Sequence, residues 1–242
     1  PFICKPLKHG ANIVVYSTTK YIGGHGLSIG GLIIDGGNFD WESAGDKFPM
    51  MNKPDPSYHG AIWSQAAKPL GPIAYILRAR VILLRDLGSS MSPFNAFTFI
   101  QGLETLPLRM ERHCQNAGKV ADYLSKHEKI QKVIYPGLMQ GVHGERASKY
   151  LEKGYGSLLG FELKDGEDAG KKFIDNLELL YHVANIGDAR SLAIHPASTT
   201  HSQLSPEEQL SSGVTPGYVS LSIGIEHIDD IIDDIQQSLD KT

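Results

Sequence analysis

Ser17-Thr18-Thr19-Lys20-Tyr21-Ile22-Gly23-Gly24-His25-Gly26 lies between two apolar runs, Ile13-Val14-Val15-Tyr16 before it and Gly30-Gly31-Leu32-Ile33-Ile34 after it. Unbroken runs of this kind read as strands and suit a sheet buried on both faces. A lysine just past a buried strand end, with glycines beside it, can be desolvated and held close to a ligand. An amine nucleophile needs that setting to form a Schiff base with a carbonyl group. Ser17 and Thr19 carry hydroxyls that can donate to phosphate oxygens near the same amine. Together these groups describe a pocket for pyridoxal 5'-phosphate (PLP), a cofactor that proteins mark with a lysine Schiff base. The bland alternative is a surface lysine in a plain glycine turn.

The chain has 242 residues, 41% of them hydrophobic and 21% charged, which allows one large domain or two smaller ones with real cores. A net charge of −4 with acids and bases interspersed favours neither a nucleic-acid nor an anionic-membrane partner. The two cysteines, Cys4 and Cys114, form no CxxC pair and fit a reducing compartment better than a disulfide scaffold or a zinc site. No apolar run approaches a membrane span and no charged-then-apolar leader opens the chain, so a soluble, cytoplasmic protein is expected. The lysine arrives within twenty residues of Pro1, whereas an α/β cofactor site is assembled from several strand ends. The chain therefore reads as the C-terminal portion of something longer.

Residues 1–36 read as strand, active-site turn, strand. Residues 37–70 are loop-rich, with three prolines and two methionines between Asp46 and Gly60; such a loop is either a binding lid or a surface excursion. Ala74, Ile76, Leu77, Val81, Leu83 and Leu84 predict a helix over 71–91 with a broad apolar face. Ser92-Pro93 opens a second helical pattern through Phe97, Ile100, Leu103 and Leu106, bent at Pro107 and resumed through Met110, Val120, Ala121 and Leu124. This bent segment is expected to connect two domains. Strands are expected at 132–135, 157–163, 191–194 and 217–223, and helices around 169–175, after the capping box Ser205-Pro206-Glu207-Glu208, and at the C-terminus. The last helix places Ile228, Ile231, Ile232, Ile235 and Leu239 on one side and Asp229, Asp230, Asp233 and Asp234 on the other. The expected architecture is α/β, ending in a small α+β domain.

Other chemistries find little support. His195 and His201, six apart, lack further ligands at metal spacing and read as structural histidines or hydrogen-bond partners at a cleft; no metal site is expected. There is no Gly-x-Ser-x-Gly elbow, no Gly-x-Gly-x-x-Gly after a strand and no Walker loop.

Ser17-x-Thr19-Lys20-Tyr21-x-x-Gly24-His25 resembles the PLP-attachment motif of the Cys/Met-metabolism enzymes. Asn185-Ile186-Gly187-Asp188-Ala189-Arg190-Ser191-Leu192, followed by His195-Pro196-Ala197-Ser198-Thr199-Thr200-His201, resembles the substrate-side segment of the O-acetylhomoserine sulfhydrylase branch. Ser57-Tyr58-His59-Gly60, Leu108-Arg109-Met110 and Ser222-Ile223-Gly224-Ile225-Glu226 extend the likeness along the chain. The resemblance implies the fold type I of PLP-dependent transferases (aspartate-aminotransferase-like). Residues 1–111 would be the C-terminal part of the large cofactor domain with the start of the connecting helix, and 112–242 the small α+β domain. It implies that Lys20 is the Schiff-base lysine and catalytic proton carrier, that Ser17 and Thr19 contact the cofactor phosphate, and that Ser191 lies where the substrate's α-carboxylate is engaged. An arginine is implied where Ser220 stands; serine cannot make a bidentate carboxylate pair, so Arg190 or another basic group would compensate, or the carboxylate is held differently. The cofactor's stacking aromatic, its aspartate and its glycine phosphate loop would lie upstream of Pro1, so that this chain alone should not make a working site.

The activity implied is PLP-dependent γ-replacement, in which O-acetyl-L-homoserine and sulfide or another sulfur donor give L-homocysteine and acetate. The partners implied are a small amino-acid substrate, the missing N-terminal portion and a homotetramer. Alternatives are a methionine or cystathionine γ-lyase, a cystathionine γ-synthase, or, in another class, a non-catalytic subunit of the same fold.

Overall fold

Strand β1 (Ile13–Ser17) pairs antiparallel with β2 (Gly31–Asp35), Ile13 opposite Asp35 and Ser17 opposite Gly31, as the two apolar runs predict. The structure, a computed structural model, describes residues 1–242. The chain folds into two compact units, one of residues 5–18 and 29–97 and the other of 1–4, 19–28 and 98–242. Within the first, the expectation of a sheet buried on both faces is not met: Val14 is buried, but Val15, Leu32 and Ile33 are exposed. The two strands pair only with each other, and no third strand continues the sheet.

The loop-rich stretch of this unit packs on itself. Single helical turns at Pro49–Asn52 and Trp63–Ala66 bring Met51, Trp63 and Ala67 against Trp41 and Ala74. Asp55 accepts from Trp63 Nε1 at 2.9 Å, and Asn52 Nδ2 donates to the carbonyls of Trp41 and Gly45. Helix α1 (Ala74–Arg78) is shorter than the sequence predicts, because the coil widens to a π-helical stretch over Ala79–Leu87. A wider turn moves successive side chains out of a 3.6-residue register. Val81 and Ile82 therefore join the core, whereas Leu83 and Leu84 face solvent.

Helix α2 (Pro93–Glu104) breaks at Thr105, and α3 (Leu106–Ser125) carries Pro107 in its first turn, where no backbone N–H is needed. Phe97, Ile100 and Leu103 of the expected stripe are exposed, and Leu106 is buried. The second unit is built on a mixed five-stranded sheet in the order β3-β4-β7-β6-β5, formed by β3 (Ile130–Ile134), β4 (Leu158–Leu163), β5 (Tyr181–His182), β6 (Leu192–Ile194) and β7 (Tyr218–Ser222). All neighbours are antiparallel except β5 and β6. Helix α4 (Gly141–Tyr150), which the apolar periodicity does not signal, buries no side chain. One sheet face is covered by α3, α5 (Gly166–Asp175) and the C-terminal helix: Leu159, Phe161 and Leu163 of β4 and Val219 and Leu221 of β7 enter that core. Alternation turns Leu158, Tyr218, Ser220 and Ser222 to the other face.

The predicted capping box opens α6 (Pro206–Ser211): Ser205 Oγ accepts from Glu208 N, and Glu208 Oε2 accepts from Ser205 N. Helix α7 (Ile228–Asp240) buries Ile231, Ile235 and Leu239 as expected. Its acidic side holds one exception. Asp234 is buried and accepts from the backbone N–H groups of Glu178, Leu179 and Leu180, tying α7 to the segment before β5.

Candidate active site

Past β1 the chain makes a wide, π-type turn over Thr18–Ile22, interrupted at Lys20, whose backbone is non-helical (φ −89°, ψ −132°). Lys20 O accepts from Gly24 N at 2.8 Å, and Gly24 and Gly26 take positive φ of 75° and 63°. Glycine is the residue that reaches this region without steric cost. Tyr21 anchors the coil: its hydroxyl lies 2.8 Å from Ser157 Oγ, and its ring stands edge-on to His113 at 5.6 Å between centroids. Burial pushes the Tyr21 phenol above its ordinary range, so it acts here as a neutral hydrogen-bonding group.

Lys20 faces a cleft of about 520 Å³ together with Asn185, His201, Tyr218, Ser220 and Ser222, all within the second unit. Its Nζ donates to Asn185 Oδ1 at 2.5 Å. The acceptor is a neutral amide. A carboxylate there would fix the amine as a charged pair; an amide orients it and leaves it available. This donor set and the open cleft in front of it fit a cofactor that bonds to a lysine amine.

The residues singled out from the sequence fall into three groups. Lys20 and Ser220 come together in the cleft. Arg190 is exposed, paired with Asp188 at 3.3 Å and lying over the Tyr181 ring, and Ser191 is fully buried; neither lines the cleft. Ser191 N and Oγ donate to Glu226, and Ser191 Oγ accepts from Gly224 N, so this hydroxyl is committed to holding two loops together. Ser17 ends β1 with its side chain exposed, and Thr19 is half-buried just before the lysine. Of the two histidines, His195 is buried between Ser198 Oγ and Pro216 O, and His201 lines the cleft.

Sequence reasoning missed Asn185 as the partner of Lys20. The only signal was its place at the head of the 185–192 segment, since the contact spans 165 positions. It also missed Tyr21 as an anchor and a stripe of buried polar residues on α3, Arg109, His113 and Asn116, spaced four and three apart. That spacing puts three polar groups on one helix face.

Comparison with known proteins agrees with this geometry. Residues 1–240 match the family model described as Cys/Met metabolism PLP-dependent enzyme. The chain is 58% identical to the O-acetyl-L-homoserine sulfhydrylase of Leptospira meyeri over 99% of its own length and 55% of that protein. It is 49% identical to the homocysteine synthase of Schizosaccharomyces pombe, again over 99% of itself and 55% of the relative. The chain thus spans about half the length of the curated relatives it matches. Among solved structures, a candidate O-acetylhomoserine (thiol)-lyase from Campylobacter jejuni, carrying N'-pyridoxyl-lysine-5'-monophosphate, superposes with a TM-score of 0.89 at 41% identity, over 99% of this chain and 56% of that one. With an α/β architecture, a mixed sheet and Lys20 presented to an open cleft, the chain belongs to the Cys/Met-metabolism family of PLP-dependent enzymes.

Proposed function

We propose that the complete protein is an O-acetyl-L-homoserine sulfhydrylase, which exchanges the acetate on Cγ of O-acetyl-L-homoserine for sulfide and releases L-homocysteine. Identity of 47–58% to proteins named as O-acetyl-L-homoserine sulfhydrylases over 97–99% of the chain carries the proposal, and Lys20 facing the cleft supports it. In the net reaction the Cγ–O bond breaks with its electron pair leaving on acetate, and a Cγ–S bond forms from the sulfur lone pair. PLP bound at Lys20 supplies the electron sink for the substrate's Cα. Lys20 Nζ takes the Cα proton and returns protons along the substrate chain as general base and acid. Asn185 Oδ1 keeps that amine at the cleft wall between transfers. Ser17 and Thr19 donate hydroxyl hydrogens to the cofactor phosphate. Ser191 bears on the substrate carboxylate through the loop backbone it fastens, with Arg190 beside it and Ser220 at the cleft face.

We further assign residues 1–111 to the large cofactor domain and 112–242 to the small one. The assembly proposed is a homotetramer in the cytoplasm, with the N-terminal half completing each site; no helix of this chain is long and apolar enough to cross a membrane. The test is to supply the complete protein with PLP, O-acetyl-L-homoserine and sulfide and to quantify homocysteine and acetate. Equimolar products that require sulfide support the proposal. Sulfide-independent release of a ketoacid would favour a γ-lyase, and bound cofactor without any product would favour a non-catalytic subunit.

A further inference from the structure

The buried polar stripe of α3 points at backbone carbonyls rather than at side-chain charges. Arg109 Nη1 donates to Tyr21 O at 2.8 Å, and Nη2 donates to Ile22 O at 3.4 Å and Gly102 O at 2.7 Å; Nε reaches Thr105 Oγ1 at 3.2 Å. Further along the same face, His113 Nδ1 lies 2.6 Å from Ile223 O, and Asn116 Nδ2 donates to the carbonyls of Gly224 and Glu226. Arg109 is buried, and all four of its acceptors are neutral. Burying a guanidinium is costly unless its donors are satisfied, so this cation sits where it does because several oxygens converge on it.

Two of those oxygens belong to the residues one and two places after the lysine. We propose that Arg109 is the positioning residue for Lys20: its planar fork fastens the Tyr21–Ile22 backbone to α2 and α3, and thereby holds Lys20 Nζ at Asn185 in the cleft. The inference rests on the reading of Lys20 as the PLP lysine and deepens it. Three glycines show how closely the surroundings fit the coil. A Cβ at Gly24 would collide with the Arg109 guanidinium, one at Gly102 with the carbonyls of Ile22 and Gly23, and one at Gly187 with Tyr21. Ala189 N closes the ring by donating to Gly24 O at 2.8 Å. The coil after the lysine is therefore clamped from α2, from α3 and from the loop that carries Asn185. A lysine whose amine must reach successive carbon atoms gains from a fixed root, because small misplacements of a reacting group cost large factors in rate.

The experiment uses the complete protein loaded with PLP, as wild type, Arg109→Lys, Arg109→Gln and Gly102→Ala. Amide hydrogen exchange of residues 19–26 is compared with that of β4 and β7, and kcat is separated from KM. Arg109→Gln keeps one short donor and loses the fork. It is expected to speed exchange in 19–26 while β4 and β7 stay protected, and to lower kcat by about tenfold or more with little change in KM. Arg109→Lys should recover part of both. Gly102→Ala, which keeps the guanidinium and presses on the Ile22 and Gly23 carbonyls beside its Gly102 O acceptor, should give the same pattern and tests the clamp if the Arg109 variants do not fold. Equal loss of protection across the whole sheet, or unchanged exchange at 19–26, would overturn the proposal. If the wild type makes no homocysteine, the functional reading fails, and the exchange comparison still judges the clamp by itself.

Discussion

Lys20 and Ser220 line one cleft, yet they differ in how they became visible. A lysine beyond a strand, preceded by hydroxyls and followed by glycines, carries its chemistry in its neighbours, so a local reading finds it. Asn185 has no such surroundings: an asparagine before a turn is most often a turn residue. Only the fold brings its Oδ1 to the lysine amine. Ser191 is the opposite case, a residue whose place in a motif attracts attention and whose hydroxyl is spent on Glu226 and Gly224. Arg190 faces Asp188 and Tyr181 rather than the cleft, so Lys20 and His201 are the only basic side chains there. Ser220 therefore puts a hydroxyl, not a guanidinium, at the cleft face, and a serine cannot make a bidentate carboxylate pair. In the complete protein Ser220→Arg should lower KM for O-acetyl-L-homoserine by about tenfold, the worth of one charge-assisted pair. Steady-state kinetics on the two forms check this; an unchanged or raised KM would place the carboxylate anchor elsewhere.

At the scale of elements, strands and amphipathic helices were readable because burial imposes periods of 2 and 3.6. β4 and β7 fall within the strands expected at 157–163 and 217–223, and α7 buries Ile231 and Ile235 with Ile228 and Ile232 packed against the same core. The region 71–91 departs from that logic because its turn widens midway, and no apolar pattern records a π-helical stretch. The acidic face of α7 departs for another reason. Asp234 lies among solvent-facing aspartates in sequence, but three N–H groups ahead of β5 need an acceptor, and it supplies one. Asp234→Ala would leave these donors without their acceptor, the Leu180 N–H among them buried, at a cost of about 3 kcal/mol. Urea unfolding should show that loss, with Asp233→Ala, on the exposed side, nearly neutral. Equal effects would mean that the carboxylate is not what holds the segment.

For the molecule as a whole, the sequence carried the family. It did not carry the polar stripe of α3, whose meaning depends on carbonyls 88 and 110 residues away. His113 in that stripe has a consequence for the stability of the fold. Ile223 O can only accept, so Nδ1 carries the hydrogen, and Nε2 is buried with no partner. Burial chiefly, with Arg109 adding to it, lowers the His113 pKa below its ordinary 6.5 against the opposing pull of Ile223 O and Asp188. An unfolded chain takes up this proton near pH 6.5 while the folded one resists, so the unfolded state binds more protons below that pH. Stability is therefore expected to fall as pH drops from 6.5 toward the lower folded value, and this group contributes no slope above it. Thermal unfolding from about pH 7.5 to about pH 5 should show a shallower fall for His113→Gln than for the native protein; identical slopes would contradict the assignment.

Lys20 is the residue expected to bond the cofactor. The complete protein, incubated with PLP, reduced with borohydride and digested, gives a direct reading by mass spectrometry of its peptides. One pyridoxyl group is expected on the peptide containing Lys20, and none there in Lys20→Ala. A pyridoxyl group on any other lysine, or none on a protein that still makes homocysteine, would contradict it.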